Sequence, residues 1–300
     1  MNKRAFFYVV LAGMLWGTSG IFVNLLSPFG ISSLTLTLFR GLAGLVFLTV
    51  FLLVKDRSLF KITFKELILY VLLGLTMFGA SALYYAAIQV TTIATAVVLM
   101  YTSPVMVMVF SVLILGERLT PVKAGAVVAM LAGCALVSGI VGGLDFHLIG
   151  ILLALGAGVS YSAYTIFAKV AMDRHYRPLT TTYYSFVFMV VFALPFANPL
   201  SIPSQMGALP LWGVIMLLTM GLVTAMSPYF LYSIAMKTLP AGTASALGIV
   251  EPMAGTIYGF LFFHEELSLL SLIGIALILG SVVLLGLVGD SKKIKQGEAL

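Results

Sequence analysis

The chain has 300 residues, of which 61% are apolar and 9% charged, and a formal net charge of +6; its mean hydropathy is +1.16. A soluble domain is about 45–50% apolar and about 25% charged, so a water-soluble fold is excluded. The positive charge must be read by its place along membrane spans, and it implies no nucleic-acid partner.

Crossing a bilayer core takes about 20 apolar residues in a helix. Ten such stretches follow in chain order, at 6–26, 33–54, 66–88, 93–115, 121–140, 148–170, 180–198, 209–236, 241–263 and 268–288. Lys3 and Arg4 precede the first run, Ala5 to Leu26, which exceeds a signal peptide's apolar region and lacks a cleavage site, so it reads as a span. Breaks such as Ser27-Pro28-Phe29-Gly30 and Gln89-Val90-Thr91-Thr92 leave no room for a soluble domain. Cys134 is the single cysteine, so no intramolecular disulfide or thiolate metal site forms.

With ten spans, every Lys and Arg except Arg40 falls on one side: Lys3 and Arg4, then Lys55 to Lys65, Arg118 and Lys123, Lys169 to Arg177, Lys237, and Lys292 to Lys295. Cytoplasmic loops carry that excess. The expectation is an integral plasma (inner) membrane protein with both termini cytoplasmic. Its units are a five-helix half at 5–140, a second at 148–288 and a cytoplasmic tail at 289–300.

The halves repeat at an offset of about 145 to 148 residues. Pro104 meets Pro252, Thr95-Ala96 meets Thr243-Ala244, Glu117 meets Glu265, and Gly13 and Gly17 meet Gly158 and Ser162. Five spans per half is an odd number, so the second copy enters the bilayer inverted, as in many secondary transporters. Small residues four apart serve close helix packing in lipid, which is their commonest role.

Leu15-Trp16-Gly17-Thr18-Ser19, Phe39-Arg40-Gly41, Tyr101-Thr102-Ser103-Pro104, Leu115-Gly116-Glu117-Arg118 and Val250-Glu251-Pro252 together resemble the EamA family of the drug/metabolite transporter superfamily, over nearly the whole chain. At His264-Glu265-Glu266 the family's usual Gly is replaced by His264. The resemblance implies ten helices, a central cavity and export of amino acids or related metabolites, without naming the substrate.

Only Arg40 and Glu251 are ionisable and well inside a span. Intramembrane charge costs about 2.5–3.5 kcal/mol on insertion scales, so such groups face a cavity or a partner. They form either a structural ion pair or a site in which Arg40 receives a carboxylate and Glu251 an ammonium group or a proton. Pro252 directly follows Glu251, and Pro104 follows Ser103, so both helices should break at symmetric places. Freed carbonyls there could meet a solute. Trp16, Thr18, Tyr85, Tyr101, Ser103, Tyr161, Tyr164, Tyr184 and Tyr229 are candidate cavity walls, although a tyrosine in a span is more often a packing or interface residue. Trp16 and Tyr161 are equivalent in the repeat, and Arg40 aligns with Tyr184.

Gly17-Thr18-Ser19-Gly20 matches the Gly-x-Ser-Gly form of rhomboid-type proteases, but no histidine within a span can act as base. His147, His175 and His264 are too scattered for a metal site, and no phosphate-binding loop offers direct ATP drive. No cofactor is expected. The function expected is secondary transport by alternating access, with a small-molecule substrate, protons as the coupling ion and a monomer or weak homodimer as the working unit. A passive facilitator or a non-transporting scaffold is the alternative.

Overall fold

The computed structural model describes residues 2–91, 93–138, 147–197, 207, 209–264 and 266–297. Parts of the expected spans at 121–140 and 180–198, together with Glu265, lie outside the described residues.

The described chain is helical. Helix α1 spans Lys3–Gly17 and α2 Ser19–Leu26. Thr18 parts them, its hydroxyl donating to the Leu15 carbonyl at 2.7 Å. Then come α3 (Ser33–Lys55), α4 (Phe64–Val90), α5 (Ile93–Met100), α6 (Ser103–Leu115) and α7 (Pro121–Val137). The remaining helices are α8 (Leu148–Asp173), α9 (Pro178–Ala193), α10 (Leu211–Met220), α11 (Ser227–Met236), α12 (Ala241–Leu247), α13 (Val250–Phe263) and α14 (Leu269–Gly297). A π-helical segment, Gly221–Met226, joins α10 to α11. The final helix therefore runs on through most of the expected tail.

Helix starts follow their capping chemistry. Thr63 and Glu66 close a capping box at α4, while Ser32 and Thr120 accept the backbone N–H groups of Thr35 and Lys123. Eight helical stretches are long and apolar enough to cross a membrane, and two shorter apolar helices cover Pro121–Val137 and Leu269–Leu285. Bulky side chains such as Val54, Leu113 and Leu211 are at least 75% exposed on the bundle's outside, where lipid takes the place of water. The chain is an integral membrane protein.

Inside, α4 packs against α8 and α9, α7 against α14, and α1 against α11 and α13. Each expected proline break is present, but the proline is not at its centre. The helix restarts just before the proline, so that Pro104 is the second residue of α6 and Pro252 the third of α13. Proline is tolerated in a first turn, whose N–H groups have no helical partner, and its fixed φ suits a helix start.

The repeat also shows at the far ends of these helices. Gly116 closes α6 in the left-handed region at φ 65°, and His264, its counterpart, closes α13 at φ 55°. Each donates its backbone N–H to a carbonyl five residues back, Ser111 and Gly259 respectively. The helix end is thus preserved despite the change from glycine to histidine.

Candidate functional site

The two breaks are held by small residues of the opposite half. A Cβ at Gly17 of α1 would sit 2.9 Å from the Glu251 carbonyl oxygen and 3.0 Å from the Gly255 nitrogen. In return, a Cβ at Gly158 of α8 would lie 3.1 Å from the Met100 carbonyl, and the Ser162 hydroxyl donates to the Ser103 carbonyl at 3.1 Å. The first helix of each half therefore docks, backbone to backbone, on the broken span of the other. This is the close approach that small-xxx-small seams permit.

A cavity of about 620 Å³ opens beside these breaks, a size typical of small-molecule sites. Trp16, Gly17, Ser19 and Gly20 form one wall, Ile93, Val97, Met100 and Tyr101 another, and Glu251, Pro252, Gly255 and Thr256 a third; Tyr84, Val137 and Ser138 complete it. It lies on the Ile93 side of the breaks. At the opposite end of α6, the Glu117 carboxylate accepts the N–H of Ala241 at 2.6 Å and of Gly242 at 3.4 Å.

Glu251 occupies the first turn of α13, where the positive end of the helix dipole favours an anion. Tyr101 shares the cavity wall with it. The expected use of freed carbonyls is largely pre-empted: Leu99 O takes the Thr102 hydroxyl at 2.6 Å, and Gly248 O takes the Glu251 N–H at 3.0 Å. Side chains, more than open backbone, therefore define the walls.

Beneath the cavity lies an aromatic cluster. Tyr229 meets Trp16 at 5.0 Å, Tyr164 at 5.6 Å and Phe186 at 5.3 Å between ring centroids. Tyr161 stands near the second break, its hydroxyl 3.5 Å from where a Cβ on Gly248 would lie. Such edge-to-face arrangements are favoured by the ring quadrupole.

Of the residues singled out from sequence, Trp16, Tyr101, Glu251 and Pro252 line the cavity directly. Tyr164 and Tyr229 belong to the aromatic cluster, and Tyr161 stands beside the second break. Arg40 does not line the cavity; it lies close enough to Tyr229 and Glu251 for its charge to be felt, but it is not ion-paired with Glu251, and its buried Nε has no hydrogen-bond partner. Thr18 spends its hydroxyl on Leu15, and Ser103 is buried, its carbonyl bonded to Ser162. Pro104 is buried within the first turn of α6. Tyr184 is elsewhere: it stacks on Tyr70 at 5.5 Å and donates to the Phe60 carbonyl at 2.7 Å. Tyr85 packs against Tyr84 at 5.6 Å, and Tyr84, not singled out from sequence, is the one on the cavity wall. Two neighbours on a helix point about 100° apart, and the nearest polar residues of α4, Ser81 and Gln89, are each four positions from Tyr85, so they mark its face rather than that of Tyr84.

Comparison with known proteins adds to this geometry. The family model described as "EamA-like transporter family" matches residues 3–139 and 148–287, one match for each half. A transporter of Archaeoglobus fulgidus is 32% identical over 279 residues, covering 92% of this chain and 94% of its own. The transporter YwfM of Bacillus subtilis is 29% identical, covering 97% and 96%. The threonine/homoserine exporter RhtA of Escherichia coli is 29% identical over 212 residues, or 69% of this chain and 67% of its own. A solved crystal structure superposes with a TM-score of 0.79 at 19% identity, covering 97% of this chain and 99% of that one, a likeness of fold.

Proposed function

The chain belongs to the EamA-like transporter family, and on that premise we propose that it is a secondary transporter exporting a small organic solute, an amino acid or related metabolite, across the plasma membrane by alternating access. The observation that carries this reading is the cavity at the paired helix breaks, with Glu251 on its wall. An intramembrane carboxylate facing open space is set to exchange partners.

In this reading ten spans form two five-span halves of opposite topology, with both termini and the basic loops cytoplasmic. The cavity then opens away from the cytoplasm, and the Glu117 contact with Ala241 closes the cytoplasmic side. Glu251 takes the solute's amine in one half of the cycle and a proton in the other. The exporter relative of Escherichia coli, named for threonine and homoserine, supports an amino acid as solute.

The test is uptake of labelled threonine into proteoliposomes with and without an imposed pH gradient. Gradient-driven flux that disappears in Glu251→Gln is expected. Flux indifferent to the gradient would instead favour a facilitator.

A further inference from the structure

The cavity is lined by fifteen residues, and Glu251 alone among them bears a charge. Its polar companions are neutral: Trp16, Ser19, Tyr84, Tyr101, Ser138 and Thr256. Among the described residues no Lys, Arg or His is on the wall. Arg40, the group expected to receive a carboxylate, is off the lining, without an ion pair to Glu251.

Two physical consequences follow for whatever enters. A carboxylate brought beside Glu251 meets a like charge with no cation among the described lining residues, Arg40 being off the wall, and like charges at short range are costly. An ammonium group meets the opposite. It gains a carboxylate partner, and three aromatic side chains on the wall, Trp16, Tyr84 and Tyr101, whose ring faces attract cations and repel anions. At about 620 Å³ the space also exceeds what the amine alone fills, so the rest of the solute rests against Ile93, Val97, Met100 and Val137, which are apolar and undemanding.

We infer that this cavity recognises its solute through a cationic amine bound to Glu251 and makes no demand for a carboxylate, so that amides and decarboxylated amines of a transported amino acid are accepted alongside the amino acid. The inference rests on the transport reading for the identity of the site and narrows its substrate class to primary amines with an apolar or hydroxylated body. The hydroxyls of Ser19 and Ser138 can donate to a neutral amide or alcohol oxygen as well as to a charged one, while that of Thr256 is already given to the Pro252 carbonyl at 3.1 Å.

The purified protein provides the test. Trp16 and Trp212 are its two tryptophans; Trp212 is remote from the cavity, packed on Phe29, so in Trp212→Phe the fluorescence of Trp16 reports occupancy. Threonine and phenylalanine, their amides and their N-acetyl derivatives are titrated in turn, and each is also used to compete with labelled threonine in proteoliposomes. The amides are expected to bind within about threefold of the parent amino acids or more tightly, and the N-acetyl compounds, which keep the carboxylate and lose the cation, at least about tenfold more weakly. Glu251→Gln should erase the difference between them; since the panel itself is read on the Glu251-bearing protein, the test stands even if that variant folds poorly. Binding of the carboxylates with rejection of the amides, or binding of none of the amines, overturns the inference. Threonine flux that the amides fail to compete overturns it while leaving transport intact. Amide binding without flux of any solute retires the transport reading alone.

Discussion

The Glu117 carboxylate accepts the backbone N–H of Ala241 at 2.6 Å, joining the end of one broken span to the start of the other across 124 residues of sequence. It thereby caps α12 from another element, because Pro240 at that helix's N-cap offers no side-chain acceptor. Loss of such a cap costs about 1 kcal/mol. Glu117→Ala is expected to lower the thermal unfolding temperature of the detergent-purified protein, and Glu117→Gln to lower it less, since an amide oxygen can still accept. Equal stability of all three proteins would show the contact to be without weight.

Substitution at Gly17 tests the backbone docking beside the cavity. A valine there would place its Cβ 2.7 Å from that of Ala254 and 2.9 Å from the Glu251 carbonyl, and overpacking of this kind costs about 1–3 kcal/mol. Transport is expected to fall sharply as α1 is pushed off α13. Gly125 is the control: it lies within α7 with nothing within 4 Å of a built Cβ, so Gly125→Ala should raise stability by about 0.5–1 kcal/mol. Thermal unfolding and flux measured on both variants separate the outcomes.

His264 and Gly116 make opposite predictions from one geometry. Both sit in the left-handed region, at φ 55° and 65°, which costs a residue bearing a Cβ about 1–2 kcal/mol. His264→Gly should therefore stabilise the protein by about 1 kcal/mol and Gly116→Ala destabilise it by a similar amount. Denaturation in mild detergent reads both. A change of the same sign in the two variants would contradict the shared helix end.

Outside the spans, Asp56 makes an acid-range prediction. Its carboxylate accepts the Ser58 hydroxyl at 2.7 Å and the Ser58 N–H at 2.8 Å, with Arg177 at 3.8 Å, and these hold the carboxyl below its ordinary range. A group depressed in the folded state stabilises it above the unfolded value and loses that effect as pH falls through the folded one. Asp56→Asn should thus flatten the stability profile slightly at acid pH, leaving its neutral-to-alkaline shape unchanged. The side chain is exposed, so the effect is small and further reduced by salt.

Much of the site could be read before any coordinates. Glu251 stood out because a charge in an apolar run demands a reason, and Pro104 and Pro252 because proline in a span must break or begin a helix. Trp16 and Tyr101 adjoin those features. Tyr84 was hidden by Tyr85, which shares a helix face with the polar Ser81 and Gln89. Tyr184, equivalent to Arg40 in the repeat, is drawn to the Phe60 carbonyl of a loop distant in sequence. The π-helical turn at Gly221–Met226 has no signature in the local sequence; it packs directly on α3, where Gly221 meets Ala43 and Gly44.

By itself the sequence determined the membrane class, the apolar helices, the paired breaks and the doubled family pattern, because hydropathy, proline geometry and repeat register are local or additive along the chain. Only the tertiary structure decided which side chains share a space: that Glu251 faces the cavity while Arg40 stays off its wall, and that Glu117 closes on Ala241. Those outcomes depend on the rotation of each helix about its axis and on the neighbour it meets. In a chain where nearly every face is apolar, neither is encoded by any short stretch of residues.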